Sequence, residues 1–478
     1  MLRRTHQPAK PAAQRSPVAT PAAIARATPT PASWTAGERA RLRSQLHAAF
    51  APALAGADRW SLAVFDARGH AIFEDHDTTA ATPASVQKLI VASVALDLLG
   101  PSYHFHTIAS ALGPIASDGT LAGNLWIAGS GDPSLRSNDL AAGVAALQRA
   151  GLRRIGGDLA IDASALHGPE INPYWDSADA NEDYDAPTSA ISLDEDTAEF
   201  RVYGQAPGQA ARVVVVPASG AIHLRGEVAT SNSSDDVIIA ADLAANHFRL
   251  DGTIPAAVEE KFWLPVHGIP RYVGAVVQRM LLDRGIATAK QPVVERAPLE
   301  SQVLWDHRSA DLRTLERHML YVSDNHYAEQ LLRTVGLQDG SAGDDRGGIA
   351  TEWRFLRRHA IPTPGLHVVD GSGLARVNRV SALTIASVLA YDESRGPLHS
   401  LYDLLPEGGR DGTLTDYDFT SALGRVRAKT GHITGVSSLA GYVNTRHHGR
   451  VIFAFLINGS PGDPDSAIVR AVDRISTF

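Results

Sequence analysis

Apolar residues recur at helical spacing from Trp34 to Ala51, and Pro52, which has no amide hydrogen to give a helix interior, stops the run. Folded sequence therefore begins near Ser33. Trp60–Phe65 and His70–Glu74 then flank Asp66–Gly69, a hairpin pattern with glycine in its turn. Thr82-Pro83-Ala84-Ser85 reads as a helix start, with Thr82 as N-cap and Pro83 at the first helical position. The body of that helix, Leu89 to Leu99, is apolar nearly all round, which predicts burial.

From about residue 107 to 255 the pattern shortens to strand-like runs between glycine turns. Leu125–Ala128, Phe200–Tyr203, Arg212–Val216, Ile222–Val228 and Val237–Ala240 are examples. Helical periodicity returns at Tyr272–Leu282, where Val273, Val276, Val277, Met280 and Leu281 share one face. Leu312, Leu315, Met319 and Leu320 line another helix; Ala328, Leu331, Leu332 and Val335 line the next, and Ser323 lies between the two. Leu439–Asn444 and Val451–Ile457 form a second hairpin, followed by a helix with Ile468, Ala471, Val472 and Ile475 on one face. A hairpin and a buried helix early, with helices and a hairpin late, predict one α/β (α+β) domain built from both chain ends, residues 34–106 and 256–478. The β-rich middle, residues 107–255, reads as an insertion of two subdomains.

Composition narrows the function classes. The 478 residues carry a formal charge of −8 at pH 7 and are 44% hydrophobic, a globular composition long enough for about two to four domains. Net acidity, with no long basic stripe after residue 40, argues against a nucleic-acid partner. No apolar run reaches a membrane span; the longest, Leu89–Leu99, is broken by Asp97. Without cysteine there are no disulfides and no thiolate metal sites. Residues 1–33 are basic and proline-rich and read as a disordered arm. That arm has no apolar region of an ordinary signal peptide, so no export signal is legible in it. Of 44 basic residues only five are lysines: Lys10, Lys88, Lys261, Lys290 and Lys429. In a chain that uses arginine almost everywhere, a retained lysine raises the question of what arginine could not do there: its amine can lose a proton, and a guanidinium effectively cannot.

Ser85 and Lys88 form the only Ser-x-x-Lys in the chain, and three residues apart on a helix they share a face. A serine hydroxyl needs a base to become a nucleophile, and a desolvated lysine beside a second cation can be that base. A serine and a lysine on a helix surface is the plainer reading of such a spacing; the apolar helix body and the scarcity of lysine weigh against it. Ser323-Asp324-Asn325 is a polar break between two amphipathic helices, and Lys429-Thr430-Gly431 precedes the C-terminal hairpin. Each triplet alone is commonly a turn. In this order the three match the signature of active-site serine enzymes that open β-lactams or cleave D-Ala-D-Ala peptides.

On these motifs the sequence resembles the D-alanyl-D-alanine carboxypeptidase/endopeptidase penicillin-binding proteins of class C, the low-molecular-mass group. Ser85 and Ser323 are separated by far more chain than a β-lactamase needs, and the family is known for domains inserted there. Further family-like segments are Gly129–Leu135, Ala186-Pro187 with Ser189-Ala190, Asp370–Leu374, Asp411–Leu414 and Arg427–Gly431. The resemblance implies a penicillin-binding/β-lactamase-like transpeptidase domain, a central antiparallel sheet flanked by helices. It implies Ser85 as the acylated nucleophile, Lys88 as its base, Ser323 as proton relay and Asn325 as holder of the acyl chain. Lys429 would supply positive charge, Thr430 and Gly431 would line the substrate site, and the backbone N–H groups of Ser85 and His432 would form the oxyanion hole. The implied partners are a peptidoglycan stem peptide and β-lactams, in the periplasm or outside the cell, with no metal or organic cofactor.

Two positions depart from the family pattern. Val86 follows the nucleophile where a polar residue is common, and His432 follows Lys-Thr-Gly where Thr or Ser is common. The glycine clusters Gly129-Ser130-Gly131 and Gly371-Ser372-Gly373 read as structural turns. The acidic stretches Asp176–Asp185 and Asp194-Glu195-Asp196 read as solvated loops, the first also able to bind a cation or a peptide amine. A β-lactamase or esterase on the same scaffold, and a non-catalytic wall-binding protein whose insertion does the work, are the competing readings.

Overall fold

The computed structural model describes residues 33–242 and 246–478. The arm expected over residues 1–33 lies, but for Ser33, outside the described residues. Both chain ends meet in one five-stranded antiparallel sheet of order Val426–Ile433, Val436–Asn444, Arg450–Asn458, Arg59–Asp66, Ala71–Asp75. Its middle strands are buried on both faces, so successive side chains enter opposite cores. Leu62 and Val64 join Phe453 and Phe455 on one side, while Ala63 and Phe65 join Ala454 and Leu456 on the other.

The first face is covered by the helices Ala36–Leu54 and Pro464–Ser476, which pack together through Leu42, Leu46, Phe50, Ile468 and Val472. Pro52 does not stop the first helix, which runs two residues beyond it. The lost hydrogen bond falls in the last turn, and burial of Ala53 against the sheet offsets it. The second face carries helices Lys88–Leu98, Leu312–Val322, Asn325–Gln338, Asp345–Arg358 and Ala382–Ser394. Lys88–Leu98 is central to this layer, with Lys88 to Leu96 all buried.

The insertion extends further than its strand-like runs suggest. Strand His106–Ala111 leaves the catalytic core and Gln302–Arg308 returns to it, paired antiparallel with His106 opposite Arg308. They belong to a five-stranded sheet of order Val293–Val294, Leu159–Asp162, Leu125–Gly129, His106–Ala111, Gln302–Arg308. The helices Ser137–Arg149 and Ile269–Asp283 bury their apolar stripes with these strands. The expected boundary at 255 is therefore displaced to about Arg308. Periodicity over Tyr272–Leu282 predicts a buried helix but does not say which sheet its stripe covers, and that sheet is the one of the insertion. Only the part around Thr197–Pro265 is all β, made of a three-stranded and a four-stranded sheet. Ile222–Val228 is broken there at Gly226 into two short strands, His223–Arg225 and Val228–Ser231.

Helix Asn325–Gln338 is seated on Asp345–Arg358 by facing glycines, Gly336 against Gly348. A Cβ at Gly348 would run into the Leu332 carbonyl and stand 2.6 Å from Leu332 Cγ. Gly348→Ala should accordingly cost about 1–3 kcal/mol of stability, seen as a lower melting midpoint. Gly37→Ala, at a helix position with nothing within 4 Å, should leave the midpoint unchanged or raise it slightly.

Candidate active site

Ser85 lies in a 3-10 turn, Ala84–Gln87, that continues into the α-helix beginning at Lys88. Thr82 is not its cap. The Thr82 N–H donates to Asn458 Oδ1 at 2.8 Å and its hydroxyl accepts from Arg379, so the side chain is spent on the sheet end and a neighbouring loop. The serine-to-lysine spacing still brings the two side chains together. Lys88 Nζ donates to Ser85 Oγ at 2.9 Å, to Asn325 Oδ1 at 2.6 Å and to the Ser372 carbonyl at 2.9 Å.

Ser323 follows helix Leu312–Val322 in a left-handed conformation, φ 64°. Asp324 then caps the next helix by accepting from Tyr327 N–H, so Ser323 and Asn325 flank a helix start. Lys429 Nζ donates to Ser323 Oγ at 2.8 Å and to the Thr430 carbonyl at 2.7 Å. Thr430 Oγ1 donates to Thr413 Oγ1 at 2.8 Å. Strand Val426–Ile433 is an edge of the sheet. Pro406–Gly408 pair with its first half, through Ala428 N–H to the Pro406 carbonyl and Gly408 N–H to the Val426 carbonyl, which leaves the end around Thr430–His432 for an extended peptide. At Gly431 this edge comes so close to the nucleophile that a Cβ would meet Ser438 Oγ and stand 3.0 Å from Ser85 N. Only glycine allows the approach that puts the Ser85 N–H beside this strand. The His432 side chain turns to the rim, where Nε2 is 2.9 Å from Asp465 Oδ1 and the ring lies near Tyr417.

Both lysines are fully buried. Burial lowers the Lys88 ammonium to about 8, opposed by the negative charges of Glu329, Asp370 and Asp324. Burial, and then the charge of Lys88, hold Lys429 well below the usual lysine range. The carboxylates that steady Lys88 are themselves built in. Glu329 accepts from the N–H groups of Gly371 and Ser372 at 3.1 and 2.8 Å. Asp370 accepts from Gly373 N, Ala375 N and Asn378 Nδ2 at 2.7–2.9 Å and from Trp175 Nε1 at 3.0 Å. Burial and the nearby Asp370 push the Glu329 carboxyl up, against the Gly371 and Ser372 N–H groups that favour its charged form.

Ser85, Lys88, Ser323, Asn325, Lys429, Thr430 and Gly431 thus come together in one place, and His432 adjoins them on the same strand. Three contributions escaped the sequence reading. The Gly371-Ser372-Gly373 turn carries the carbonyl that holds Lys88, a backbone group that no side-chain motif reveals. Glu329 stands four residues after Asn325 on the same helix face, a spacing that was available to be read. The insertion also reaches the site, for the Tyr184 carbonyl accepts from Asn325 Nδ2 at 2.9 Å. Asp194-Glu195-Asp196 has the composition of a solvated loop, yet Glu195 and Asp196 are buried. Among the described residues one group of three possible metal ligands comes together, Glu195, His318 and Asp324.

The D-Ala-D-Ala carboxypeptidase 3 (S13) family model matches residues 42–477. The chain is 28% identical over 471 residues to a D-alanyl-D-alanine carboxypeptidase of Actinomadura sp. (strain R39), covering 95% of this chain and 87% of that one. It is 30% identical over 401 residues to D-alanyl-D-alanine carboxypeptidase DacB of Haemophilus influenzae, covering 81% and 83%. Penicillin binding protein 4 of Haemophilus influenzae superposes with a TM-score of 0.78 at 26% identity, over 89% of this chain and 97% of that one. The same protein has been solved in complex with a β-lactam and superposes with a TM-score of 0.73. With residues 42–477 matched by the family model and 89% of the chain matched in fold, this protein belongs to the D-Ala-D-Ala carboxypeptidase 3 (S13) family, a family of serine hydrolases.

Proposed function

We propose that this protein hydrolyses the terminal D-Ala-D-Ala bond of peptidoglycan stem peptides through an acyl-enzyme on Ser85, and that penicillin acylates the same serine. The observation that carries this reading is the wholly buried Lys88 amine 2.9 Å from Ser85 Oγ. In its neutral form that amine takes the Ser85 proton as Oγ attacks the D-Ala carbonyl. The oxyanion is received by the backbone N–H groups of Ser85 and His432. The proton taken by Lys88 is relayed through Ser323, which Lys429 holds in place from the other side, to the leaving D-Ala nitrogen, so Lys88 is neutral again for the water step. Thr430 hydrogen-bonds the terminal carboxylate, and Asn325 holds the acyl chain while its own carbonyl stays on Lys88. Water then hydrolyses the ester. Such a substrate places the enzyme in the periplasm or outside the cell.

Two outcomes check this mechanism. A mass-spectrometric penicillin adduct should map to Ser85 and disappear in Ser85→Ala. Labelling on another residue, or none in the folded protein, would refute it. Because the base form of Lys88 is the deprotonated one, the acylation rate should climb as pH rises through about 8. Lys88→Arg keeps the charge but cannot release a proton, and should slow acylation by about 10²–10⁴-fold. A stopped-flow series from pH 6 to 10 reads both effects.

A further inference from the structure

Asp194, Glu195 and Asp196 have φ of 51°, 59° and 53°, three consecutive non-glycine residues in the left-handed region. Such a turn persists only where its surroundings force it, and a forced turn points to what it presents. Here the surroundings do force it. Asp194 N–H donates to the Leu135 carbonyl at 2.9 Å, and Asp194 Oδ1 accepts from Ser137 N at 3.0 Å. Asp196 Oδ1 accepts from Leu193 N at 2.8 Å, and its carbonyl accepts from Val266 N at 3.0 Å.

What the turn presents is the buried Glu195 carboxylate, aimed out of the insertion at the catalytic domain. It pairs with Arg136 on its own side and stands 3.8 Å from His318 Nε2 on the other. His318 Nε2 is in turn 3.5 Å from Asp324 Oδ2, the residue between Ser323 and Asn325. The Tyr327 ring lies over the imidazole, with ring centroids 4.6 Å apart. Charges therefore alternate from insertion to active site: Arg136, Glu195, His318, Asp324. Burial alone would lower the His318 imidazolium, but the facing carboxylates of Asp324 and Glu195 outweigh that and raise it to about 9. Glu195, His318 and Asp324 have the spacing of a metal site, yet Arg136 and the imidazolium already supply the positive charge these carboxylates need.

We propose that the inserted domain sets the geometry of the catalytic centre through this chain. Glu195, driven forward by its left-handed turn, holds His318 against Asp324, so that Ser323 faces Lys429 and Asn325 faces Lys88. His318 and Glu195 are positioning residues, since neither touches the nucleophile. The proposal rests on the roles given above to Ser323 and Asn325, and it gives the insertion a part in the chemistry that its place in the chain does not reveal.

The test uses the full chain, following acylation by a fluorescent penicillin and D-Ala release from pH 6 to 10. Glu195→Gln and His318→Gln are each expected to slow acylation by about 10- to 100-fold, in kcat more than in KM. The double variant should be no slower than the slower single one, because both act through one chain. Acylation by the unaltered protein should fall above about pH 9 as His318 loses its proton. That alkaline limb should be absent in His318→Gln, and His318→Arg, which keeps the charge, should recover part of the rate. Unchanged rates in both single variants, multiplying losses in the double, or an alkaline limb surviving in His318→Gln would overturn the proposal. So would a loss in His318→Gln that falls together with the melting temperature and that Arg does not relieve. An unaltered protein that penicillin does not acylate at Ser85 would instead refute the reading on which this one stands.

Discussion

Two lysine amines buried together, shut off from bulk solvent, are the constraint around which this molecule is organised. An isolated buried ammonium costs several kcal/mol, and it escapes that cost by losing its proton or by gaining carboxylates. Lys88 does something of each. Glu329, Asp370 and Asp324 lie near enough to support its charge, while burial makes the neutral form accessible near pH 8. Lys429 has no such support among its principal influences and has the charge of Lys88 against it, so its proton is the less firmly held. A base that is neutral part of the time beside a second amine is what a serine nucleophile requires. The fold supplies it by choosing which lysine receives the carboxylates.

That choice is made by one helix and one loop. Helix Asn325–Gln338 carries both Asn325, which accepts from Lys88, and Glu329, which supports its charge, on a single face. The loop after Asp370 is tied to the same helix by the N–H groups that Glu329 accepts, and it returns the Ser372 carbonyl to Lys88. The facing glycines Gly336 and Gly348 then seat this helix on its neighbour. From the other side the insertion contacts the assembly at Tyr184 and Trp175, one on Asn325 and one on Asp370. The site is thus held from two directions, by the catalytic core beneath it and the insertion beside it.

Much of this was legible in the sequence, and the reasons are physical. The terminal hairpins and the Leu89–Leu99 core helix announce themselves by period and apolarity, and the catalytic side chains by motif and by the rarity of lysine. Three features were not legible. Apolar stripes on Ile269–Asp283 say that the helix is buried but not on which sheet, so the boundary at 255 fell short. Ser372 acts through its carbonyl, a group every residue has. Asp194-Glu195-Asp196 has the composition of a solvated loop, and only the surrounding backbone bonds turn it inward.

The account stands on the claim that Lys88 spends part of its time neutral at physiological pH. With five lysines in the chain, nuclear magnetic resonance of protein labelled with carbon-13 at the lysine Cε can follow each amine through a pH titration. Lys88→Arg and Lys429→Arg identify the two resonances that matter. The account predicts that the Lys88 signal titrates at about 8 and that the Lys429 signal moves well below the usual lysine range. A Lys88 signal that titrates near the ordinary value of about 10.4 would contradict it.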